Sequence, residues 1–397
     1  PWQSGSSGRE ETQVVHLNPK SGRWIPDKSR LQRHVNIAIA YNVWQYYQTT
    51  GDLDFMLSYG AEMMLEIARF WASLATYNAE LGRYEITGVM GPDEYHEEYP
   101  GAETAGLNNN AYTNVMVSWL LWRAKDLLDL LPEYRRNELT EAIGLGDDEI
   151  HRWDEISRRM RLCFHEDGML SQFEGYEELK EFDWDGYRKK YGKIGRLDRI
   201  LEAEGDNTDN YKLSKQADAL MLPYLLSSDM LGQLFERMGY PFEPEQIPGL
   251  IDYYLERTSH GSTLSGVVNS WVLSRSDRGR SWDWFMEALH SDVADVQGGT
   301  TREGVHLGAM AGTVDIVQRC YTGLSIRDDV LWLRPELPDA LNSIKQRIRF
   351  QGHWLALEIT SSHLHVTCEE GGKGELQIGV GGEVHSFVAG DSREFDL

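Results

Sequence analysis

Four short segments hold the residues best able to do chemistry. The first is Gly91-Pro92-Asp93-Glu94-Tyr95-His96-Glu97, followed by Asn109-Asn110-Ala111-Tyr112-Thr113-Asn114. Gly91-Pro92 breaks any regular element, so the carboxylates lie on a loop. Asn110, or a neighbour, reads as the cap of a helix beginning near Ala111. A carboxyl beside Tyr95 and His96 and partly screened from water has its neutral form favoured, which is the state a general acid needs. In the second segment, Lys212–Asp218, the adjacent Lys215 and Gln216 offer an ammonium and an amide to sugar hydroxyls. The third, Arg257–Ser265, sets His260, Ser262 and Thr263 ahead of an apolar helix, the arrangement of an anion site at a helix N-terminus. The fourth, Gln297–Gly312, carries His306 on a helix with glycines at 304, 308 and 312. Each segment alone has a plainer reading: an acidic surface loop, a solvated lysine, an N-cap and a core histidine. No third ligand joins His96 and its acidic neighbours at metal spacing, so no metal is expected. A nucleophile elbow, a phosphate-binding Gly-Lys-Ser/Thr loop and a His-Glu-x-x-His pair are all missing.

The elements that must position these residues are mostly helices. Apolar residues recur at helical spacing over 31–49, 53–78, 111–131, 147–162, 213–228, 230–238, 263–277, 280–289 and 302–317. Long linkers, 80–110 and 164–212, separate some of them, and their aromatic content speaks against disorder. After about residue 326 the pattern changes to short β-branched and aromatic runs: 330–333, 344–350, 353–359, 364–368, 375–380 and 383–388. These predict a small β-sandwich. The expected organisation is a helical catalytic domain over 1–325 followed by a β-sheet domain over 326–397.

Composition narrows the function classes. A chain of 397 residues is long enough for about two to three domains. Its 39 Lys and Arg against 63 Asp and Glu leave a net charge of −24, a poor surface for nucleic acid. No apolar run is long enough to span a membrane. Cys163, Cys320 and Cys368 are odd in number and far apart, which fits free thiols in a reducing, cytoplasmic compartment. The 13 Trp and 19 Tyr against 11 Phe suit stacking on sugars, a use compatible even with a non-catalytic carbohydrate-binding protein. The start at Pro1-Trp2, with neither Met nor a signal-like stretch, reads as a chain that begins inside a larger protein.

In this order the segments resemble the glycoside hydrolase family 65 enzymes, which comprise maltose, trehalose and kojibiose phosphorylases and related hydrolases. The carriers are Pro1-Trp2 near Gly8-Arg9-Glu10-Glu11, the Gly91–Glu97 and Asn109–Asn114 stretches, Lys215-Gln216-Ala217-Asp218, His260–Ser265, and Glu303-Gly304-Val305-His306. The resemblance covers essentially the whole chain. It implies a mainly α fold, an (α/α)6 barrel incomplete in this chain, followed by the C-terminal β-domain. It also implies an N-terminal β-sandwich and first barrel helices that this sequence lacks, and by analogy a homodimer. The implied reaction is inverting cleavage of an α-linked glucosyl disaccharide, with inorganic phosphate as co-substrate in the phosphorylases and water in the hydrolases. Carried over by position, Glu94 is the general acid. Trp2, Lys215 and Gln216 bind substrate, and His260, Ser262, Thr263 and His306 bind phosphate. No other cofactor is implied. The long loop Glu98–Gly106 and Asn108 depart from the family pattern and bear on the leaving sugar.

Chemistry separates the two reactions. Phosphate brings its own negative charge and needs donors rather than a protein base. An inverting hydrolase needs a second carboxylate about 6.5–9.5 Å from the acid. No Asp or Glu lies between Glu256 and Asp277, which favours phosphorolysis. Asp218 and Glu303 are the carboxylates left to serve a hydrolase, and Lys212, Lys215, Arg257, His260 and Arg302 would make the anion site locally positive.

Overall fold

A computed structural model describes residues 5–294, 304–327 and 329–397. Their contacts group into two compact units, one of the described residues up to 43 and 57–262 and the other of residues 44–56 and the described residues from 263 on.

The first unit is helical and built on α1 (Val35–Thr50, as far as Val43), α2 (Ala61–Leu74), α3 (Ala111–Leu130), α4 (Glu133–Ile143) and α5 (Asp147–Arg159). Helix α3 is its centre. Asn110 caps it by accepting the Thr113 amide at 2.9 Å, and every residue from Ala111 to Leu121 is buried. A helix buried on all sides shows no single apolar stripe, which fits the run of Val115, Met116, Val117, Trp119, Leu120 and Leu121, interrupted only by Ser118. Helix α5 starts with three acids and ends with two arginines, matching its dipole, and it packs on α3 through Trp153 and Ile156.

The expected linker over 164–212 is largely ordered. It contains α6 (Trp184–Tyr191) and α7 (Leu197–Glu204), which wrap an apolar cluster of Tyr95, Phe182, Ile194, Leu197, Ile200, Leu201 and Leu213. Helices α8 (Asp218–Leu225), α9 (Ser228–Met238) and α10 (Ile247–Glu256) complete the unit. Two small antiparallel hairpins also interrupt the helical pattern. One pairs β1 (Val15–Leu17) with β2 (Trp24–Pro26), the other β3 (Thr76–Asn78) with β4 (Arg83–Glu85). The second hairpin explains why the expected helix over 53–78 stops at Leu74.

In the second unit α11 (Leu264–Leu273), α12 (Arg278–His290) and α13 (Leu307–Asp315) pack together. Two four-stranded sheets follow. One runs in the order β11 (Glu383–Phe387), β10 (Leu376–Val380), β6 (Val330–Leu333), β5 (Ser325–Arg327), with β6 and β10 parallel. The other runs β12 (Ser392–Asp396), β9 (His363–Cys368), β8 (His353–Thr360), β7 (Ser343–Phe350) and is antiparallel throughout. Alternation is clean in β8, where Leu355, Leu357 and Ile359 are buried between exposed or half-buried neighbours. All three cysteines are free thiols. No described helix is long and apolar enough to cross a membrane.

Candidate active site

Glu94 sits in the left-handed region at φ 67°, a conformation that side-chain-bearing residues adopt only when neighbours enforce it. Both neighbours do so. Asp93 is 2 % exposed and fully engaged: its Oδ1 accepts the Lys215 amide at 2.6 Å, its Oδ2 faces His96 Nδ1 at 2.9 Å, and its own amide donates to Asp218 Oδ1 at 2.6 Å. Tyr95, also 2 % exposed, is rooted in the apolar cluster around Phe182 and Leu213. With the residues on either side inward, the Glu94 carboxylate is turned outward. Its side chain is 48 % exposed and pairs with Lys215 Nζ at 2.5 Å. The expectation of an acid partly screened from water is therefore not met at Glu94. Asp93 and His96 take the buried positions instead.

A buried polar network underlies the loop. His96 places Nδ1 on Asp93 and Nε2 3.0 Å from the Tyr211 carbonyl, which can only accept, so Nε2 carries a hydrogen. Burial pulls the His96 pKa down, but the hydrogen bond and charge of Asp93, with Asp209, hold it above the usual histidine value. Asp218 starts α8 and is 1 % exposed, with Oδ2 accepting the Asn110 side-chain amide at 2.6 Å. Burial, followed by the charge of Asp93, raises its pKa well above the ordinary carboxyl value. A side chain enclosed in this way cannot reach a bulk water molecule, so Asp218 is part of the scaffold and is not placed to act as a hydrolytic base. Gly91 is required here because a Cβ would lie 1.7 Å from Asp218 Oδ2.

The Lys212–Asp218 segment, which Asp93 holds through the Lys215 amide, is tied in turn to the segment around His260. Ser214 donates its amide to the Arg257 carbonyl at 2.8 Å, and Ser259 returns one to the Ser214 carbonyl at 2.8 Å. His260 is itself left-handed at φ 54°, and burial, with the charge of Arg188, lowers its pKa to about 4. It is therefore a neutral imidazole near pH 7 and adds no positive charge. Lys212 and Arg257 are both drawn to Glu181, at 3.5 and 3.2 Å, and Lys215 to Glu94. The locally positive anion site expected from these residues is thus largely neutralised by carboxylates.

The other expected residues divide between the two units. Gln216 sits beside Lys215, its Nε2 3.5 Å from the Pro92 carbonyl and its buried Oε1 without a hydrogen-bond partner among the described residues. Ser262 ends the first unit and Thr263 begins the second as the residue before α11, making no side-chain cap. His306, also in the second unit, precedes α13 and is not inside it; Asp292 receives its amide at 2.8 Å and faces its Nδ1 at 2.5 Å. Trp2, Arg302 and Glu303 lie outside the described residues. No described group of three or more His, Cys, Asp or Glu is placed to hold a metal ion.

A cavity of about 540 Å³ opens beside Glu94 within the first unit. Its walls include Glu97, Lys28, His16, Asp27, Arg196 and Asp198. Glu97 is half-buried, and burial together with the charge of Asp209 raises its pKa to about 8, against a pull from Lys28. In the sequence Glu97 is marked only by its place in the Gly91–Glu97 motif, three residues after Glu94. The hairpin β1–β2 and helix α7, which also line the cavity, carry no motif.

Residues 1–315 match the glycosyl hydrolase family 65 central catalytic domain, and residues 324–387 match the C-terminal domain of the same family. The chain belongs to glycosyl hydrolase family 65. Among its relatives, an uncharacterized glycosyl hydrolase of Mycobacterium tuberculosis H37Rv is 54% identical over 394 residues, 99% of this chain and 30% of that one. A trehalose 6-phosphate phosphorylase of Lactococcus lactis is 38% identical over 402 residues, 100% of this chain and 50% of that one. A kojibiose phosphorylase of Caldanaerobacter subterraneus is 32% identical over 378 residues, 92% and 45% of the two chains. The chain thus spans between about a third and a half of the length of these relatives. A solved structure named as a putative kojibiose phosphorylase from human microbiome superposes with a TM-score of 0.71 at 23% identity, covering 91% of this chain and 46% of that one. The fold is the mainly helical (α/α)6-barrel type with a C-terminal β-sheet domain.

Proposed function

We propose that the full-length protein is an inverting phosphorylase of an α-linked glucosyl disaccharide, releasing β-glucose 1-phosphate. Glu94 gives its proton to the glycosidic oxygen as the bond from that oxygen to the anomeric carbon breaks. A phosphate oxygen attacks the same carbon from the opposite face, which inverts its configuration. Lys215 and Gln216 bind the transferred glucosyl unit. When sugar hydroxyls take up the Lys215 ammonium, Glu94 is released to face the glycosidic oxygen. His260 and Ser262 donate to phosphate, and Thr263, His306 and the sugar contact of Trp2 join the proposal on family resemblance alone. The cavity lined by Glu94 and Glu97 takes the leaving sugar.

The observation that carries this reading is the fastening of the Glu94 loop to a segment, Ser259–Ser262, that offers hydroxyls and a neutral imidazole but no carboxylate. A phosphate needs such donors and supplies its own nucleophile; a hydrolytic water needs a base. The names of the Lactococcus and Caldanaerobacter relatives point the same way. The test is a screen of trehalose, trehalose 6-phosphate, kojibiose, maltose and nigerose on the full-length protein, with and without phosphate. The expected result is phosphate-dependent glucose 1-phosphate, reduced at least about 100-fold in Glu94→Gln. Glucose released equally fast without phosphate would identify a hydrolase, and sugar binding without turnover a carbohydrate-binding protein.

A further inference from the structure

The Tyr95 hydroxyl makes three hydrogen bonds, all to residues distant in sequence. It donates to the Gly195 carbonyl at 2.8 Å and accepts from Ser259 Oγ at 3.1 Å and from the Leu197 amide at 3.2 Å. One hydrogen and two lone pairs are the whole capacity of a phenol, so the group is saturated. Its ring is held among Phe182, Ile194, Leu197, Ile200, Leu201 and Leu213, and a phenylalanine ring would fill that cluster equally well. Burying an additional hydroxyl is unfavourable unless each bond is made, so what the oxygen contributes is the junction it forms and not apolar packing.

That junction links two of the left-handed, non-glycine residues described in the unit. Glu94 immediately precedes Tyr95, and His260 immediately follows Ser259. The clamp is closed by Gly261, which lies so near the Gly195 carbonyl that a Cβ would meet its oxygen at 1.9 Å and the Tyr95 oxygen at 3.2 Å. The Gly195–Leu197 strand of backbone is thereby held between Tyr95 and the Ser259–Gly261 segment. Ser259 Oγ lies 3.3 Å from the same Gly195 carbonyl, so the serine keeps an acceptor if the phenol is removed.

We propose that Tyr95 is a positioning residue that fixes the Ser259–Ser262 segment relative to the Glu94 loop and so sets the affinity for phosphate. The proposal rests on the phosphorylase reading given above. Tyr95 touches neither sugar nor phosphate, and its effect runs through Ser259 and the backbone that follows.

The experiment is steady-state kinetics of the full-length protein, varying phosphate and disaccharide independently, on Tyr95→Phe, Ser259→Ala and the double variant. Tyr95→Phe is expected to raise KM for phosphate about 10-fold, the effect one buried neutral hydrogen bond supports, with KM for the disaccharide changed less than about 2-fold. Ser259→Ala removes the same bond from the other side and retains the phenol, so it stands in where Tyr95→Phe folds poorly. The double variant should be no worse than the stronger single one, as expected for two residues acting through one contact. A phosphate-dependent wild type whose variants lose thermal stability with both KM values unchanged, or with both raised equally, overturns the positioning role and leaves the phosphorylase reading standing. A wild type indifferent to phosphate overturns both.

Discussion

Replacing Glu97 by glutamine tests whether the cavity beside Glu94 holds a protonated carboxyl. The Glu97 pKa stands at about 8 in the fold against an ordinary value of 4.5, because burial and the charge of Asp209 outweigh the pull of Lys28. At pH 7 about nine molecules in ten therefore carry the proton. Between the two values the folded protein holds a proton that the unfolded chain has released, so stability falls as pH rises through that window and the penalty is complete above about pH 8. A shift of this size corresponds to about 5 kcal/mol as an upper bound, and the remaining exposure of Glu97 to solvent reduces the expected effect to about 2 kcal/mol. Glutamine mimics the neutral acid at every pH. The Glu97→Gln protein should exceed wild type by less than about 1 kcal/mol at pH 5 and by about 2 kcal/mol at pH 9. Urea unfolding of both proteins at pH 5, 7 and 9 provides the measurement. Parallel stability curves for the two proteins over that range would show that Glu97 does not titrate as described.

Three further substitutions follow from named contacts. Gly91→Ala drives a methyl into the buried Asp218–Asn110 bond and should cost about 2–5 kcal/mol, read as a lowered urea midpoint, because both overpacking and a broken buried bond are involved. Lys215→Met removes the ammonium beside Glu94 and should raise KM for the disaccharide about 10- to 100-fold; a change confined to phosphate would place the lysine in the wrong subsite. In the second unit Gly312→Ala brings a Cβ to 2.6 Å from Val267 Cγ1 across α11 and α13, for a net loss of about 1–2 kcal/mol by thermal melting, since the gain in helix propensity offsets only part of the clash.

What the sequence discloses depends on how far each element relies on its own apolar pattern. Helices such as Ser228–Met238 bury a stripe, Leu231, Leu234, Phe235 and Met238, and were visible from spacing alone. Glu133–Ile143 buries only Leu139, and Trp184–Tyr191 buries none of its residues, so periodicity had nothing to register there. The helix expected over 213–228 is shorter, Asp218–Leu225, because the amides of Ser214, Lys215 and Gln216 are bonded to Arg257 and Asp93 instead of to a preceding turn. Strand β12 is exposed at four of its five positions and lacks the alternation that revealed β8. At the site, the motif located the Glu94 loop and the cap at Asn110, but not the outward turn of Glu94. That turn follows from a positive φ imposed by Asp93 and Tyr95, whose partners lie about a hundred residues away.

Those distances bear on how the loop acquires its shape. Asp93 is bonded across 79, 122 and 125 residues, to Gln172, Lys215 and Asp218. Closing loops of that length costs chain entropy before any bond repays it, and non-local contacts of this kind form slowly. The Glu94 loop is therefore expected to assemble late, after α3 and the segments bearing Gln172 and Asp218 have come together. A peptide covering residues 88–110 alone would lack the partners that set its backbone. Transplanting the acid to another scaffold would mean carrying four separated stretches of chain with it.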